Sequence, residues 1–361
     1  MGCGGAERTI IQLANSFAEQ GLDIHLGVCN ITGEKAKLLP EVSSNVRIVN
    51  FECGRVFYAI RPLKKLMNSE QYNWIVSTQT HSNIIVTFAK KLAHVSTHLI
   101  LREVSTPSKN IKMKGLAKYI FKALVNLNYT AAHSVVCVSK GVENDFRNYY
   151  NYKKNNLITI YDPVLDDAYF SKLKEPVEHH FFNDDNKVIL AVGRLTEAKN
   201  FGFLIRSFKA LHDQHPETRL IILGEGELRA EFEALIQDLG LNEVVDLPGF
   251  DANPYAYFKY VSLFVLSSNW EGLPGVLIQA LASKVKVVST DCPSGPMEIL
   301  DHSKFGLLVE CNDQISMTTA MQQAIFDHYV EYSDLEFEAH IQQFHIESVL
   351  KEYLVMMEKP F

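Results

Sequence analysis

Residues 187–200 read KVILAVGRLTEAKN. Lys187–Val192 is a short apolar run, Gly193 ends it, and a helical pattern opens near Asn200. This is strand, loop, helix. The loop holds two cations, Arg194 and Lys199, at the carboxyl edge of whatever sheet the strand joins. Two fixed cations beside a helix N-terminus suit a diphosphate and need no metal to do so. In isolation such a loop is usually solvated surface charge, so its neighbours decide its meaning.

The same grammar repeats in both directions along the chain. Downstream, strand-like runs occupy Arg219–Leu223, Val244–Leu247, Leu263–Ser267, Val285–Thr290 and Gly306–Val309. Upstream they occupy Leu22–Cys29, Asn45–Phe51, Trp74–Ser77, Thr97–Arg102, Ser134–Ser139 and Leu157–Tyr161. Helical patterns lie between them, such as Glu7–Glu19 with Ile10, Ile11, Ala14, Phe17 and Ala18 on one side. Short apolar runs alternating with helices predict parallel, helix-covered sheets. Asp162 to Asn186, with two prolines, tandem His179-His180 and mixed charge, breaks the pattern and reads as a linker. The histidines are expected to be solvated, with no case for a metal. The expected fold is α/β, two doubly wound Rossmann-like domains facing a cleft: residues 1–165, then 166–340. A helix near Ile346–Met357, within 341–361, is free to pack back on the first domain. Ligands of such sheets sit at the carboxyl ends of strands.

Length and composition agree with two soluble domains. The chain has 361 residues, 47% apolar and 21% charged, the proportions of ordinary globular protein. No uncharged stretch is apolar enough to span a bilayer, and MGCGGAER lacks the apolar core of a signal peptide. Six scattered cysteines without a CxxC pair argue against a zinc site and for the reducing cytoplasm. The net charge of -7 hides a split. Residues 1–165 carry 20 Lys+Arg against 11 Asp+Glu, or +9; residues 166–361 carry 15 against 31, or -16. From Val104 to Val142 there is no acid but six lysines: Lys109, Lys112, Lys114, Lys118, Lys122 and Lys140. Leu116, Tyr119, Ile120, Ala123, Leu124 and Leu127 give that stretch an apolar side. It reads either as a packed helix with a solvated basic face or as an interfacial helix on anionic lipid, at the inner face of the membrane. No nucleic-acid motif is present, and the acidic second half argues against such a partner.

Three further loops share the edge of the second sheet. Ser267-Ser268-Asn269-Trp270-Glu271-Gly272-Leu273-Pro274 runs from a strand into a helix, with Pro274 at its start. Glu271 is the loop carboxylate, Gly272 permits close backbone approach to a ligand, and Gln279 sits about a turn and a half into the helix. Leu223-Gly224-Glu225-Gly226 and Thr290-Asp291-Cys292-Pro293-Ser294-Gly295-Pro296 follow two other strands. Each alone is weak; their coincidence on one edge is not.

GRLTEAKN, LGEGEL, the LPGF…NPY turn, FVLSSNWEGLPGVLIQALA and STDCPSGPMEIL…GLLV together resemble family 4 glycosyltransferases of the two-domain GT-B fold. GGAER…LANSFAEQG, VSKGVENDF and ITIYDPV fit the same family more loosely. The flavour is that of bacterial enzymes building O-antigen, capsule or other lipid-linked glycans. The resemblance implies a retaining transferase using a nucleoside-diphosphate sugar, with UDP the expected nucleotide and no metal or cofactor. It places Arg194 and Lys199, after Gly193, on the donor diphosphate. It places Glu271 on the donor sugar, the backbone of Gly272, Leu273 and Pro274 on sugar and phosphate, and Gly249 and Phe250 near the base. Glu271, Arg194 and Lys199 are thereby the catalytic set.

Two departures from the pattern stand out. The second Glu of the family's Glu–seven residues–Glu motif, which holds the ribose, is Gln279, a neutral acceptor in place of a charged one. Relatives also begin with a strand leading into the GGAER loop. This chain starts in that loop, so the first strand of the N-terminal sheet is expected to be missing. On the acceptor side, Gly4 and Gly5 border the cleft, His81 opens a helix, and Arg102 and Glu103 end a strand. For each of these an ordinary cap or salt bridge competes with substrate contact. Two other readings remain: a sugar-nucleotide-binding protein without transfer activity, or an epimerase or phosphorylase on the same fold.

Overall fold

In the computed structural model the described residues are all but 1–4, 33–37, 112, 183–184 and 359–361. The chain divides into two compact units. One is Met1–Val164 with Phe344–Phe361, and the other is Leu165–Gln343.

Unit 1 runs α1 (Gly5–Glu19), β1 (Ile24–Val28), β2 (Val46–Asn50), α2 (Ile60–Glu70), β3 (Trp74–Thr78), α3 (Thr80–Ala93) and β4 (His98–Glu103). It continues through α4 (Pro107–Asn110), α5 (Gly115–Tyr129), β5 (Ser134–Cys137), α6 (Lys140–Tyr150) and β6 (Leu157–Thr159). Unit 2 contains α7 (Asp167–Lys172), β7 (Lys187–Val192), α8 (Phe201–His212), β8 (Thr218–Leu223), α9 (Arg229–Asp238) and β9 (Val245–Gly249). It goes on with β10 (Leu263–Leu266), α10 (Gly275–Ala282), β11 (Val287–Thr290), α11 (Pro296–Ile299), β12 (Leu307–Val309), α12 (Gln314–Phe326) and α13 (Asp334–Ile341). The last helix, α14 (Ile346–Glu358), returns to unit 1.

Every strand expected from sequence is present, with ends displaced by a residue or two. Unit 2 has one parallel six-stranded sheet in the order β12-β11-β10-β7-β8-β9. Its central strands are buried on both faces, which is why they read as unbroken apolar runs rather than alternations. Val265 and Val288 from the sheet and Phe208, Leu211 and Met321 from α8 and α12 share one core.

Unit 1 does not form a single sheet. Its strands make a four-stranded parallel sheet, β3-β4-β5-β6, and a separate two-stranded one, β1-β2. Among the described residues β1 pairs only with β2, and β3 only with β4. The joint between the two sheets is side chain rather than ladder. Ile11, Ala14 and Ala18 of α1 pack with Leu26 and Val28 of β1, while Leu13 and Phe17 of the same helix pack with Ile100, Val136 and Ile160. Val349, Leu350 and Tyr353 of α14 fill the second of these cores. The Phe17 and Tyr353 rings meet edge to face at 6.1 Å.

Candidate active site

All six strands of the unit 2 sheet are parallel, so their carboxyl ends share one edge. Strand order reverses at β7, with β8 and β9 laid on one side and β10 to β12 on the other. Crevices at such switch points bind ligands. The loops that flank this one are 193–200, after β7, and 267–274, after β10.

These two loops are built into each other. The Asn269 amide donates to the Ala198 carbonyl at 2.8 Å, and its side chain donates to the Glu197 carbonyl at 2.9 Å. The Ser267 hydroxyl donates to the Lys199 carbonyl at 2.8 Å. Asn200 and Asn312 both donate to the Asn269 side-chain oxygen, at 3.1 and 3.3 Å. At the centre the Lys199 ammonium meets Glu271 Oε1 at 2.5 Å, and the Ser268 hydroxyl donates to the same oxygen at 2.6 Å. Both side chains are mostly buried, 19% and 12% exposed. The pair is therefore held in place rather than loosely solvated. Arg194, one turn of loop away, is exposed and makes no ion pair among the described residues.

Glycines set how closely the neighbouring loops approach. A Cβ on Gly224, whose φ is +143°, would lie 1.9 Å from the Gly193 carbonyl oxygen. One on Gly226 would lie 2.4 Å from the Leu195 oxygen. Both contacts are with backbone, so no side chain larger than hydrogen is tolerated while Gly193 donates to Leu223 and Leu195 to Glu225, each at 2.9 Å. Gly249, at φ +98°, is hemmed by the Glu225 carboxylate, itself gripped by both Nε and Nη2 of Arg229 at 2.9 Å. Phe250 beside it is 56% exposed.

On the other flank, Gly272 and Pro274 are buried and Leu273 half-buried. The Glu271 amide donates to the Pro293 carbonyl at 3.0 Å, which ties this loop to the one after β11. Thr290 Oγ1 donates to the Ser268 carbonyl at 2.7 Å. Helix α10 begins at Gly275, with its N-terminus at the same edge. Gln279 is half-buried, and its carbonyl accepts from the Tyr169 hydroxyl at 2.6 Å. Lys199, Glu271 and Gly272 thus come together at the switch point, and Arg194 shares the loop of Lys199; Gly249, Phe250 and Gln279 lie on flanking segments. Of the scaffold residues, Ser268, Asn269 and Asn200 stand in the loops read from sequence without an assigned role, and Asn312 lies outside them; their only signal was polar character near strand or helix ends.

The residues expected on the acceptor side divide. Gly4 lies outside the described residues. Gly5 starts α1 and is exposed. His81, in the first turn of α3, is exposed, its ring 6.0 Å from that of Phe121. For Arg102 and Glu103 the expectation is corrected: each is 1% exposed and turned inward. Arg102 pairs with Asp162, beside Tyr353 of α14. Glu103 accepts from Tyr129, from Asn83 at 3.0 Å and from Thr80 at 3.0 Å. Burial nevertheless raises its carboxyl to about 7, against the pull of those three donors.

A second correction concerns His179. It is not solvated: its Nε2 lies 2.9 Å from Asp246, and its Nδ1 accepts from the Phe181 amide at 3.1 Å. His180, 68% exposed, stacks on it. These three side chains cluster closely enough to suggest a metal site. The Phe181 amide, however, occupies the Nδ1 lone pair and so places the proton on Nε2, facing Asp246. No lone pair on His179 is left for a cation.

Known proteins match this architecture and these segments. A family model described as glycosyl transferases group 1 matches residues 174–336, and one described as glycosyltransferase family 4 matches residues 3–167. The chain is 30% identical, over 91% of its length and 88% of the relative's, to a Campylobacter jejuni enzyme. That enzyme is named as an N-acetylgalactosamine-N,N'-diacetylbacillosaminyl-diphospho-undecaprenol 4-alpha-N-acetylgalactosaminyltransferase. The chain belongs to glycosyltransferase family 4. It is also 32% identical to an uncharacterised glycosyltransferase of Methanocaldococcus jannaschii, covering 75% of this chain and 67% of the other. Among solved structures, Anabaena HepE in complex with UDP and glucose superposes with a TM-score of 0.76 at 17% identity. The alignment covers 99% of this chain and 96% of that one. The lipopolysaccharide outer core galactosyltransferase WaaB gives 0.73 at 17% identity over the same shares. This glycosyltransferase therefore has the GT-B fold.

Proposed function

We propose that this glycosyltransferase moves a sugar from a nucleoside-diphosphate donor, UDP-sugar in particular, to a saccharide or lipid-linked acceptor in bacterial surface-polysaccharide synthesis. The configuration of the sugar is retained and no metal takes part. The observation that carries this reading is the Lys199–Glu271 pair at the β7/β10 switch point, with exposed Arg194 on the same loop as Lys199. Two relatives named as acting on diphospho-undecaprenol-linked sugars support the acceptor class. A fold neighbour in complex with UDP and glucose supports the donor.

The chemistry follows from charge. As the bond between the anomeric carbon and the diphosphate lengthens, positive charge grows on the sugar and negative charge on the leaving group. Arg194 and Lys199 stabilise the leaving group without reorganising, because their loop is already fixed. Glu271 serves Lys199 as a positioning partner and the donor sugar as a hydrogen-bond acceptor. The acceptor hydroxyl approaches from the leaving-group side and gives its proton to a diphosphate oxygen. No second carboxylate is required.

A panel of nucleotide sugars screened for thermal stabilisation identifies the donor. The anomeric configuration of the product, read by NMR, tests retention. Inverted product, or a donor that stabilises the protein without acceptor-dependent UDP release, would remove the proposal. The second outcome would favour a binding protein, a reading that Gln279 and the divided sheet of unit 1 also motivate.

A further inference from the structure

Helix α5 is apolar on two opposite sides. Phe121, Val125, Asn128 and Tyr129 are buried against unit 1. On the reverse side Leu116 is 75% exposed, Tyr119 71%, Ile120 60% and Leu127 64%. At 3.6 residues per turn, Leu116, Ile120, Ala123 and Leu127 form one continuous stripe. Of the two sequence readings, the packed one is thus overturned for these residues: the apolar side expected in the core faces solvent. Met113, just before the helix, is also exposed. Clustered apolar residues of this size on a surface mark an interaction site rather than chance exposure.

Charge says what fits it. Lys109 and Lys114 are exposed at the start of the stripe, and Lys118 is half-buried at its flank. Lys122 is engaged with the Tyr149 carbonyl and ring, and Lys112 lies outside the described residues. The whole segment from Val104 to Val142 contains no acid. A second copy of the chain meeting this face about a two-fold axis would set lysine against lysine. A nucleic acid would need cations along the centre of the stripe, where Leu116, Ile120 and Leu127 stand. An anionic bilayer meets both demands, since headgroups pair with the lysines while the apolar stripe enters the boundary of the acyl chains.

We infer that α5 is an interfacial helix that seats unit 1 on an anionic lipid surface. The reading deepens the proposed function, because a lipid-linked acceptor would be met there, but the argument needs neither donor nor acceptor. Among the described residues no helix is long and apolar enough to cross a membrane; an interfacial helix such as α5 would bind at the surface and reversibly.

The test is co-sedimentation of the full chain, without substrates, with phosphatidylcholine vesicles and with equal-part phosphatidylcholine/phosphatidylglycerol vesicles. Wild type should pellet with the anionic vesicles and be released by salt. Lys109→Gln/Lys114→Gln should weaken that binding about fivefold for each lysine removed. Leu116→Ser/Ile120→Ser/Leu127→Ser should abolish it with an unchanged melting curve, since these side chains are outside the core. Equal binding by wild type and the triple variant, or no preference for anionic vesicles, would overturn the inference. So would self-association of wild type that the triple variant loses, which would give the face to a second copy instead. Loss of transferase activity with intact vesicle binding would count against the proposed function and leave this inference standing.

Discussion

Lys199 has two duties, and they separate in experiment. It balances Glu271, and on the proposed reading it also faces the donor diphosphate. Arg194 is proposed to have only the second. Arg194→Ala is expected to weaken UDP more than UMP, by the ~1.5–3 kcal/mol of a lost charge-assisted hydrogen bond. Lys199→Ala should cost at least as much and should also lower stability, because Glu271 is left mostly buried without its countercharge. Calorimetry with both nucleotides, run beside urea denaturation, checks this; equal losses of UDP and UMP would remove the diphosphate contact. If these cations do the work of a metal, turnover should survive EDTA, and loss restored by manganese would refute that. Glu103 makes a different prediction. Its carboxyl is raised from 4.5 to about 7 in the folded chain, so between those values the folded state holds a proton that the unfolded state has released. Its contribution to stability therefore falls as pH rises through that window, by up to ~3 kcal/mol. Glu103→Gln should lose this dependence, so its stability relative to wild type should improve from pH 5 to about pH 8. A parallel pH profile for the two proteins would show that the buried carboxyl ionises without penalty.

Among the elements, the β7–α8 and β8–α9 loops are locked by the absence of side chains at Gly224 and Gly226. Gly226→Ala would place a methyl 2.4 Å from the Leu195 carbonyl oxygen, and backbone cannot swing aside as a side chain can. We expect a loss of ~1–3 kcal/mol by denaturation, together with weaker UDP binding, because the loop bearing Arg194 must move. Unchanged UDP affinity would separate the two loops. Legibility of such features follows their range. The strands were readable because β-branched runs between helical patterns are a local signal. The site loops were readable because each lies just after a strand. The outward turn of α5 was not, since periodicity defines a face but not the direction it points. Nor was the burial of Arg102, whose partner Asp162 is 60 residues away, or the packing of His179 against Asp246. Those depend on chain segments that meet only in three dimensions. The divided sheet of unit 1 was not legible either: the expectation there was a missing first strand, and a break in strand pairing between β1-β2 and β3-β6 has no local signal.

At the scale of the molecule, the candidate donor residues all belong to unit 2 and the apolar, lysine-flanked helix to unit 1. Ligand binding should therefore report on one unit at a time. UDP is expected to slow amide exchange in β7, β10 and α10 and to leave β4 and β5 unaffected; protection spread evenly over both units would place the nucleotide elsewhere. The course of the chain has its own meaning. Unit 2 is one uninterrupted stretch, whereas unit 1 needs both Met1–Val164 and Phe344–Phe361, with Val349, Leu350 and Tyr353 completing a core begun by Leu13 and Phe17. On a ribosome that has just released Gln343 into solution, the second unit has all its residues in hand while the first still waits with an open seam. The unit begun first is the one finished last, and a nascent chain stalled just after Gln343 would carry a complete second unit and an unsealed first one that chaperones would have to guard.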